Sequence, residues 1–304
     1  MTKKWSSRLT FFAFVVLMVG LGSNDSLRGI FSTIFQEHFS LTTTQLGLIV
    51  TASYIGNLVF LLVGGNLSTR FSKKRVLQVL ILIWMAALAL FAFTSNYTVL
   101  LIGMALALGS STLLNTTMNL ITPLLFATAP GFFVNFLFFT QEIGTSGSQY
   151  ILGSHADGFA FWQHTNLVLL ILGAVAFVLL LFCNVPEEAA ASADAPAQKG
   201  GYDWRIIVPY VLVFGFYFIA EHGVMNWMVA YGVDGLGLPQ ASAAKYLSVF
   251  FGGMMIGRLC LSPLVDKLGA LKSLAAFGGV SCVLYLIGSL GGAVTMPVWA
   301  ISGF

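Results

Sequence analysis

The sequence predicts an all-α polytopic membrane protein. Hydrophobic residues make up 58% of the 304 residues, charged residues make up only 8%, and long apolar runs recur between short polar breaks. Soluble domains are roughly 45–50% apolar and about 25% charged, so this chain has too few charges to cover a water-exposed surface. A transmembrane β-barrel requires alternating strands of about ten residues, whereas these apolar runs are continuous.

Polar breaks divide the chain into nine predicted helices, because a helix needs about 20 apolar residues to cross a bilayer. The breaks are Gln36–Gln45, Ser68–Arg75, Thr94–Thr98, Ala127–Phe132, Ser154–His164, Pro186–Arg205, Val233–Gln240, Asp266–Lys272 and Gly291–Met296. The predicted helices between them cover residues 10–35, 46–67, 76–94, 98–126, 132–153, 165–185, 206–232, 241–264 and 271–290. A tenth apolar run begins at Pro297 and ends at Phe304.

Among the predicted loops, positive charges occur only in even-numbered ones. Lys and Arg residues precede the first predicted helix and recur in the loops after the second, sixth and eighth, whereas the odd-numbered loops contain none. The positive-inside rule therefore places the N-terminus and the even-numbered loops in the cytoplasm. We expect the inner (plasma) membrane of a bacterium as the location.

The longest polar stretch, Pro186–Tyr202, contains the run Ala-Ser-Ala-Asp-Ala-Pro followed by Gly200–Gly201. Such a composition is typical of a flexible linker. It predicts a six-helix bundle over residues 1–185, a cytoplasmic linker over 186–205 and an incomplete second bundle over 206–304.

Two similar segments follow the second and eighth predicted helices, at equivalent places in the two halves, as a parallel repeat requires. They cover residues 65–74 and 262–272, and they resemble the G-x-L-x-D-R-x-G-R-K signature of the major facilitator superfamily. In the first copy Thr69 replaces the acid and Ser72 replaces the glycine. The resemblance implies two helical bundles and a clasp between cytoplasmic charges, with Arg258 as the partner of Asp266; its candidate residues are Arg70, Lys73, Arg258, Asp266 and Lys267.

Other stretches resemble the branch of that superfamily that transports fucose, galactose or glucose together with protons. They are the segment 39–47, the pair Asn115 and Asn119, the pair Asn135 and Gly144, and the segment 217–231. The resemblance implies a secondary active transporter that moves a small solute, a sugar, by alternating access coupled to a proton gradient. Efflux of amphipathic compounds is the alternative, and a solute sensor that does not transport is a third reading.

The resemblance also predicts that the natural protein continues beyond Phe304. The last apolar run of eight residues would cover about 12 Å of a hydrocarbon core roughly 30 Å thick. The second half of the family fold contains six helices, whereas only about three and a half are predicted here. We expect the missing part to comprise on the order of 100 residues, the length of three spans with loops.

Asp25 and Arg28 lie three residues apart in the first predicted helix. Ionisable side chains within a span are costly and mark functional sites. Because residues three apart share a helical face, these two side chains are able to neutralise each other. A structural ion pair is the alternative to a role of Asp25 and Arg28 in proton coupling, and the family resemblance places a proton-coupling carboxylate on this helix.

A second polar group lies in the seventh predicted helix. Glu221 and His222 are followed one turn later by Asn226 and Trp227. A carboxylate accepts hydrogen bonds from sugar hydroxyls, and an aromatic ring packs against the C–H face of a sugar. Glu221 is thus a candidate for both solute binding and proton coupling, whereas Trp227 is equally compatible with an interfacial anchor.

Amides form the third group of candidates. Asn115 and Asn119 share one face of the fourth predicted helix, where amides either hold helices together or bind a ligand. The resemblance implies a coupling glutamate at the position of Asn115, and Glu142 on the next predicted helix is the candidate substitute. The complete predicted solute-binding set is Asn24, Asn115, Asn119, Asn135, Gln141, Glu221, Asn226 and Trp227.

An enzymatic reading is weaker. The segment 144–147 reads G-x-S-G, which matches the nucleophile motif of rhomboid proteases with Ser146 as the nucleophile. The possible bases that follow it are His155, His164 and His222. In a chain with 32 glycines such a match arises easily, and the glycines equally predict close helix packing. We expect no enzyme activity, no metal or other cofactor and no nucleic-acid partner; the expected partners are a small solute, protons and the lipid bilayer, with the chain as a monomer.

Overall fold

Residues 3–186 and 204–304 are described by the structure, a computed structural model. They form α-helices in the following order: α1 Lys3–Ile30, α2 Ser32–His38, α3 Thr43–Arg70, α4 Lys73–Phe93, α5 Tyr97–Leu125, α6 Pro130–Ile151, α7 Phe159–Phe182, α8 Trp204–Ala230, α9 Gln240–Leu268, α10 Ala270–Leu290 and α11 Met296–Ile301. A π-helical turn, Tyr231–Gly235, extends α8, and a 3-10 turn, Gly292–Thr295, precedes α11. The all-α prediction is confirmed.

Seven of the described helices are long and apolar enough to cross a membrane. They are α1, α3, α4, α5, α7, α8 and α10. The helices α6 and α9 are also predicted as spans but do not belong to that group. Polar residues, among them Gln141 and Glu142, lower the hydropathy of α6, whereas α9 contains residues whose side chains lie outside the described part of the chain.

Several helices are longer than their apolar runs. The first predicted helix, 10–35, begins instead at Lys3 and is divided at Phe31 into α1 and α2. The sixth, predicted from residue 165, begins at Phe159, whose ring is buried against Phe35 with the centroids 6.5 Å apart. Hydropathy marks the part of a helix that lies in hydrocarbon, whereas the helix itself continues as far as its backbone hydrogen bonds and packing allow.

Local capping fixes the loops that separate the first helices. The Gln45 side chain accepts a hydrogen bond from the Thr42 amide (2.9 Å), and the Gln45 amide donates to the Thr42 hydroxyl (3.3 Å). This reciprocal capping box begins α3. Asn96 caps α5 by accepting from the amides of Thr98 and Val99.

Buried hydrophobic residues form two clusters. The first contains residues between 13 and 185, and the second contains residues between 224 and 300. Helices α1 and α6 pack together within the first part, and they contact α8 and α9, respectively, of the second. The predicted domain boundaries stay a prediction, and residues 187–203 of the predicted linker lie outside the described residues.

Glycines bring α1 and α6 into close contact. A Cβ atom on Gly22 would overlap the Gln141 carbonyl, and one on Gly144 would overlap the Val19 carbonyl. The close approach brings the polar residues of α1 and α6 near one another at the centre of the protein.

Candidate functional site

A central cavity of about 920 Å³ lies between the two hydrophobic clusters. Helices α1, α3, α5 and α6 line it from one side, and α8 and α9 line it from the other. Its volume lies within the range of about 300–1,000 Å³ typical of small-molecule sites. Nine predicted residues line it: Asp25, Arg28, Asn115, Gln141, Glu142, Glu221, Asn226, Trp227 and Arg258.

The Asp25 carboxylate is held by uncharged groups. The Ser111 hydroxyl on α5 lies 3.2 Å from both Asp25 carboxylate oxygens, and the Asn24 amide donates to Oδ1 at 3.4 Å. Within the described residues, Asp25 and Arg28 do not form a direct ion pair, although they occupy the same face of α1. Asp25 is instead bound by Ser111 on α5, and Arg28 is bound by Asn226 on α8.

Arg28 connects three helices. Its Nε donates to Asn226 Oδ1 on α8 at 3.3 Å, and its guanidinium carbon lies 6.0 Å from the centroid of the Tyr54 ring on α3. The Asn226 amide in turn donates to the Tyr54 hydroxyl (3.3 Å) and to the His222 carbonyl (2.7 Å). These two hydrogen bonds hold the Asn226 side chain in place, and Asn226 in turn orients Arg28.

An ion pair joins α6 to α9. Arg258 Nη1 lies 2.9 Å from Glu142 Oε1, and the guanidinium carbon lies 5.8 Å from the centroid of Phe138. The second carboxylate oxygen, Oε2, is buried and has no hydrogen-bond partner among the described residues. Glu142 therefore depends on Arg258 for the compensation of its charge.

The predicted clasp is only partly described. Arg258 pairs with Glu142 in the central cavity, whereas the side chains of Arg70, Asp266 and Lys267 lie outside the described side chains. Lys73 is buried at the beginning of α4. The clasp thus stays a prediction, and the partner found for Arg258 lies across the cavity on α6.

Amides form a chain between α5 and α6. The Asn115 amide donates to Gln141 Oε1 at 2.7 Å, and the Asn119 amide donates to Asn115 Oδ1 at 2.6 Å. Asn115 and Gln141 line the cavity, whereas Asn24, Asn119 and Asn135 are not among the residues that line it. Asn24 is buried beside Asp25, and Asn135 is exposed on α6. Asn119 is connected to the cavity by its hydrogen bond to Asn115.

Glu221 and Trp227 complete the wall on the α8 side. Trp227 also packs against the first hydrophobic cluster, so that it contacts both parts of the protein. The aromatic residues Tyr54, Phe138, Tyr217, Phe218 and Phe251 line the same cavity. The site thus offers charged groups, amides and ring faces within one space.

Several polar residues of the cavity were not predicted from the sequence. They are Tyr54, Asn57, Ser111, Thr112 and Thr145. Ser111 precedes Asn115 by four residues and so shares its helical face, a signal that was available in the sequence. Tyr54 and Asn57 are likewise three residues apart on α3, but their helix gave no other functional signal.

Ser146, the candidate protease nucleophile, is a packing residue. Its hydroxyl donates to the Ser248 carbonyl (2.9 Å), and the Ser248 hydroxyl donates to the Ser146 carbonyl (2.8 Å). The candidate bases His155 and His222 contact the carbonyls of Ile151 and Phe218 instead. The described residues contain no cluster of three or more His, Cys, Asp or Glu side chains suited to a metal ion.

Comparison with known proteins identifies relatives along most of the chain. A family model described as Major Facilitator Superfamily matches residues 10–304. The cis,cis-muconate transport protein of Acinetobacter baylyi is 24% identical over 297 residues, which cover 90% of this chain and 70% of that protein. The L-fucose-proton symporter of Escherichia coli is 23% identical over an alignment of 311 positions, which covers 88% of this chain and 70% of that protein.

A solved structure agrees with this result. A crystal structure of the Escherichia coli fucose–proton symporter superposes with a TM-score of 0.67 at 17% sequence identity, and the match covers 100% of this chain and 81% of that one. At this identity the similarity concerns the fold alone.

Proposed function

Because this chain belongs to the major facilitator superfamily, it is a membrane transporter rather than an enzyme, and we propose that it moves a sugar together with protons. The observation that carries the proposal is the central cavity, which places carboxylates, amides and an aromatic face between two groups of helices. The similar proteins named for transport of L-fucose with protons and of cis,cis-muconate agree with a small polar solute.

The lining supports recognition of a sugar. Asn115 and Gln141 present amides that donate to and accept from hydroxyl groups, and the Glu221 carboxylate accepts from them. Trp227 supplies a ring face for the C–H groups. The additional aromatic residues of the cavity favour efflux of amphipathic compounds as the second candidate.

Asp25 is the proposed proton-coupling group. It lies in the cavity, and its described hydrogen-bond partners are the neutral side chains of Ser111 and Asn24. A carboxylate without a fixed cationic partner is free to bind and release a proton as the environment changes. Glu142 and Glu221 are the other proposed coupling candidates, and Arg28 sets the electrostatic environment near Asp25.

Transport by alternating access requires two bodies that move about the site. We propose that residues 1–185 and 206–304 form these bodies, joined by a cytoplasmic linker over 186–205. The separate hydrophobic clusters support this division. The distribution of Lys and Arg supports a cytoplasmic N-terminus and cytoplasmic clasp, and we propose a monomer in a bacterial inner membrane.

Uptake into proteoliposomes tests this proposal. With a pH gradient imposed, the wild-type chain should accumulate labelled L-fucose, D-galactose or D-glucose. Asp25→Asn should abolish this accumulation, although the variant protein remains inserted in the membrane. The amide keeps hydrogen bonds but does not titrate. Asp157→Asn, which removes an exposed carboxylate between α6 and α7, is the matched control and should accumulate normally.

Two results would change the proposal. Accumulation at the wild-type level by Asp25→Asn would transfer the coupling role to Glu142 or Glu221. Movement of sugar that is indifferent to the pH gradient in the wild type would exclude proton coupling altogether.

A further inference from the structure

The terminal nitrogen atoms of the Arg28 guanidinium are available to a ligand. The residue is only 4% exposed, and it lines the central cavity. Its Nε is hydrogen-bonded to Asn226, but among the described residues Nη1 and Nη2 have no hydrogen-bond partner. The other cavity arginine, Arg258, differs because its Nη1 is already paired with Glu142.

A buried guanidinium is unfavourable unless hydrogen bonds and a directly paired anion compensate its desolvation. Asp25 lies one helical turn away but is held by Ser111 and Asn24 instead. The cavity therefore contains a fixed positive charge whose forked donors face a space large enough for a solute. Two parallel N–H donors match the two oxygens of a carboxylate.

The surroundings of Arg28 hold it in place. Asn226 fixes Nε and is itself held by Tyr54 and the His222 carbonyl, while the Tyr54 ring lies beside the guanidinium. An arginine so positioned loses little side-chain entropy when a ligand binds. The Arg28 guanidinium is therefore held in a binding orientation before a ligand arrives.

We propose that the transported solute is an acidic sugar or a similar hydroxy acid, whose carboxylate binds Nη1 and Nη2 of Arg28. Its hydroxyl groups then bind the amides of Asn115 and Gln141, which line the same cavity. This inference rests on the proposed function, because it takes the central cavity as the transport site. An acid anion that enters together with one proton adds no net charge to a cavity that already contains Asp25, Glu142 and Glu221.

Ligand pairs that differ only in charge provide the test. Binding of D-galacturonate and D-glucuronate to the full chain in detergent is measured by thermal stabilisation and titration, and it is compared with binding of D-galactose, D-glucose and the uronate methyl esters. The acid should bind at least about tenfold more tightly than its ester, as expected for a charge-assisted bidentate contact. This comparison needs no variant, so it remains decisive if a substitution at Arg28 prevents folding.

Variants then assign the contact. Arg28→Gln should lower the preference for the acid over the neutral sugar by about tenfold or more, while Arg28→Lys should retain part of the preference. Lys245→Gln, which removes an exposed cation on α9, should leave the preference unchanged.

The outcomes separate this inference from the proposed function. Equal affinities for acids and neutral sugars, or a preference for the acids that survives Arg28→Gln, overturn the inference and leave sugar transport standing. Failure of both ligand classes to bind overturns the inference and removes the support for sugar transport as well.

Discussion

Removal of either partner of the Glu142–Arg258 ion pair should destabilise the protein, but by different amounts. The Glu142 side chain is 9% exposed, whereas the Arg258 side chain is 39% exposed. Arg258→Gln leaves an almost fully buried carboxylate whose Oε2 already has no partner. Loss of one partner of a buried pair costs about 3–5 kcal/mol, and we expect this range for Arg258→Gln.

Glu142→Gln leaves the arginine charge instead. Because Arg258 is more than one-third exposed, water in the cavity hydrates its guanidinium, and the expected cost falls to about 1–2 kcal/mol. The double variant leaves no unpaired charge, so its cost should be smaller than the sum of the two single costs. The coupling free energy should be about 1–3 kcal/mol.

Denaturant titration of the purified protein in detergent provides the free energy of unfolding for each variant. Lys245→Gln on the same helix serves as the control, because this exposed side chain lies beside Tyr150 rather than a carboxylate; it should change stability by less than about 0.5 kcal/mol. Equal costs for the two single variants, or a double variant whose cost equals their sum, would refute the ion pair as the structure shows it.

Two further predictions concern the solute site and helix packing. Trp227→Ala should weaken sugar binding by about 1 kcal/mol or more, and Glu221→Gln should weaken it too, each with a smaller loss of stability. Tyr210→Ala, at an exposed position of the same helix, is the control. Unchanged affinity in both site variants would assign Trp227 and Glu221 a structural role instead. Gly144→Ala should lower the free energy of unfolding by about 1–3 kcal/mol because its Cβ would overlap a backbone carbonyl of α1. Gly147→Ala meets open space and should be neutral or slightly stabilising, so equal losses at the two glycines would contradict the packing argument.

The positions of the helices were largely predictable from the sequence. Every backbone polar group in a bilayer must be satisfied within its own segment, so apolar length alone identifies helices such as α4 and α10. Their ends were less predictable: α1 begins at Lys3 and α7 at Phe159, outside the apolar runs, because polar and aromatic residues also form helix where packing favours it.

The polar composition of the site was partly predictable for the same reason. An ionisable group within a span is costly, so Asp25, Arg28, Glu221 and Glu142 stood out by residue type alone. Helical spacing placed Asn115 and Asn119 on one face, yet the cavity reaches only Asn115. Spacing defines a face of a helix, but it does not define how far along that face the cavity extends.

The sequence by itself determined that the chain is helical, crosses a membrane and contains buried charges, because these properties follow from each segment's own interaction with hydrocarbon. Only the tertiary structure decided the partners. It paired Arg258 with Glu142 across α6 and α9, and it placed Ser111 beside Asp25 and Asn226 beside Arg28. Which side chains pair depends on how neighbouring helices are rotated and how closely they pack. Contacts such as those of Gly22 and Gly144 between α1 and α6 set both properties.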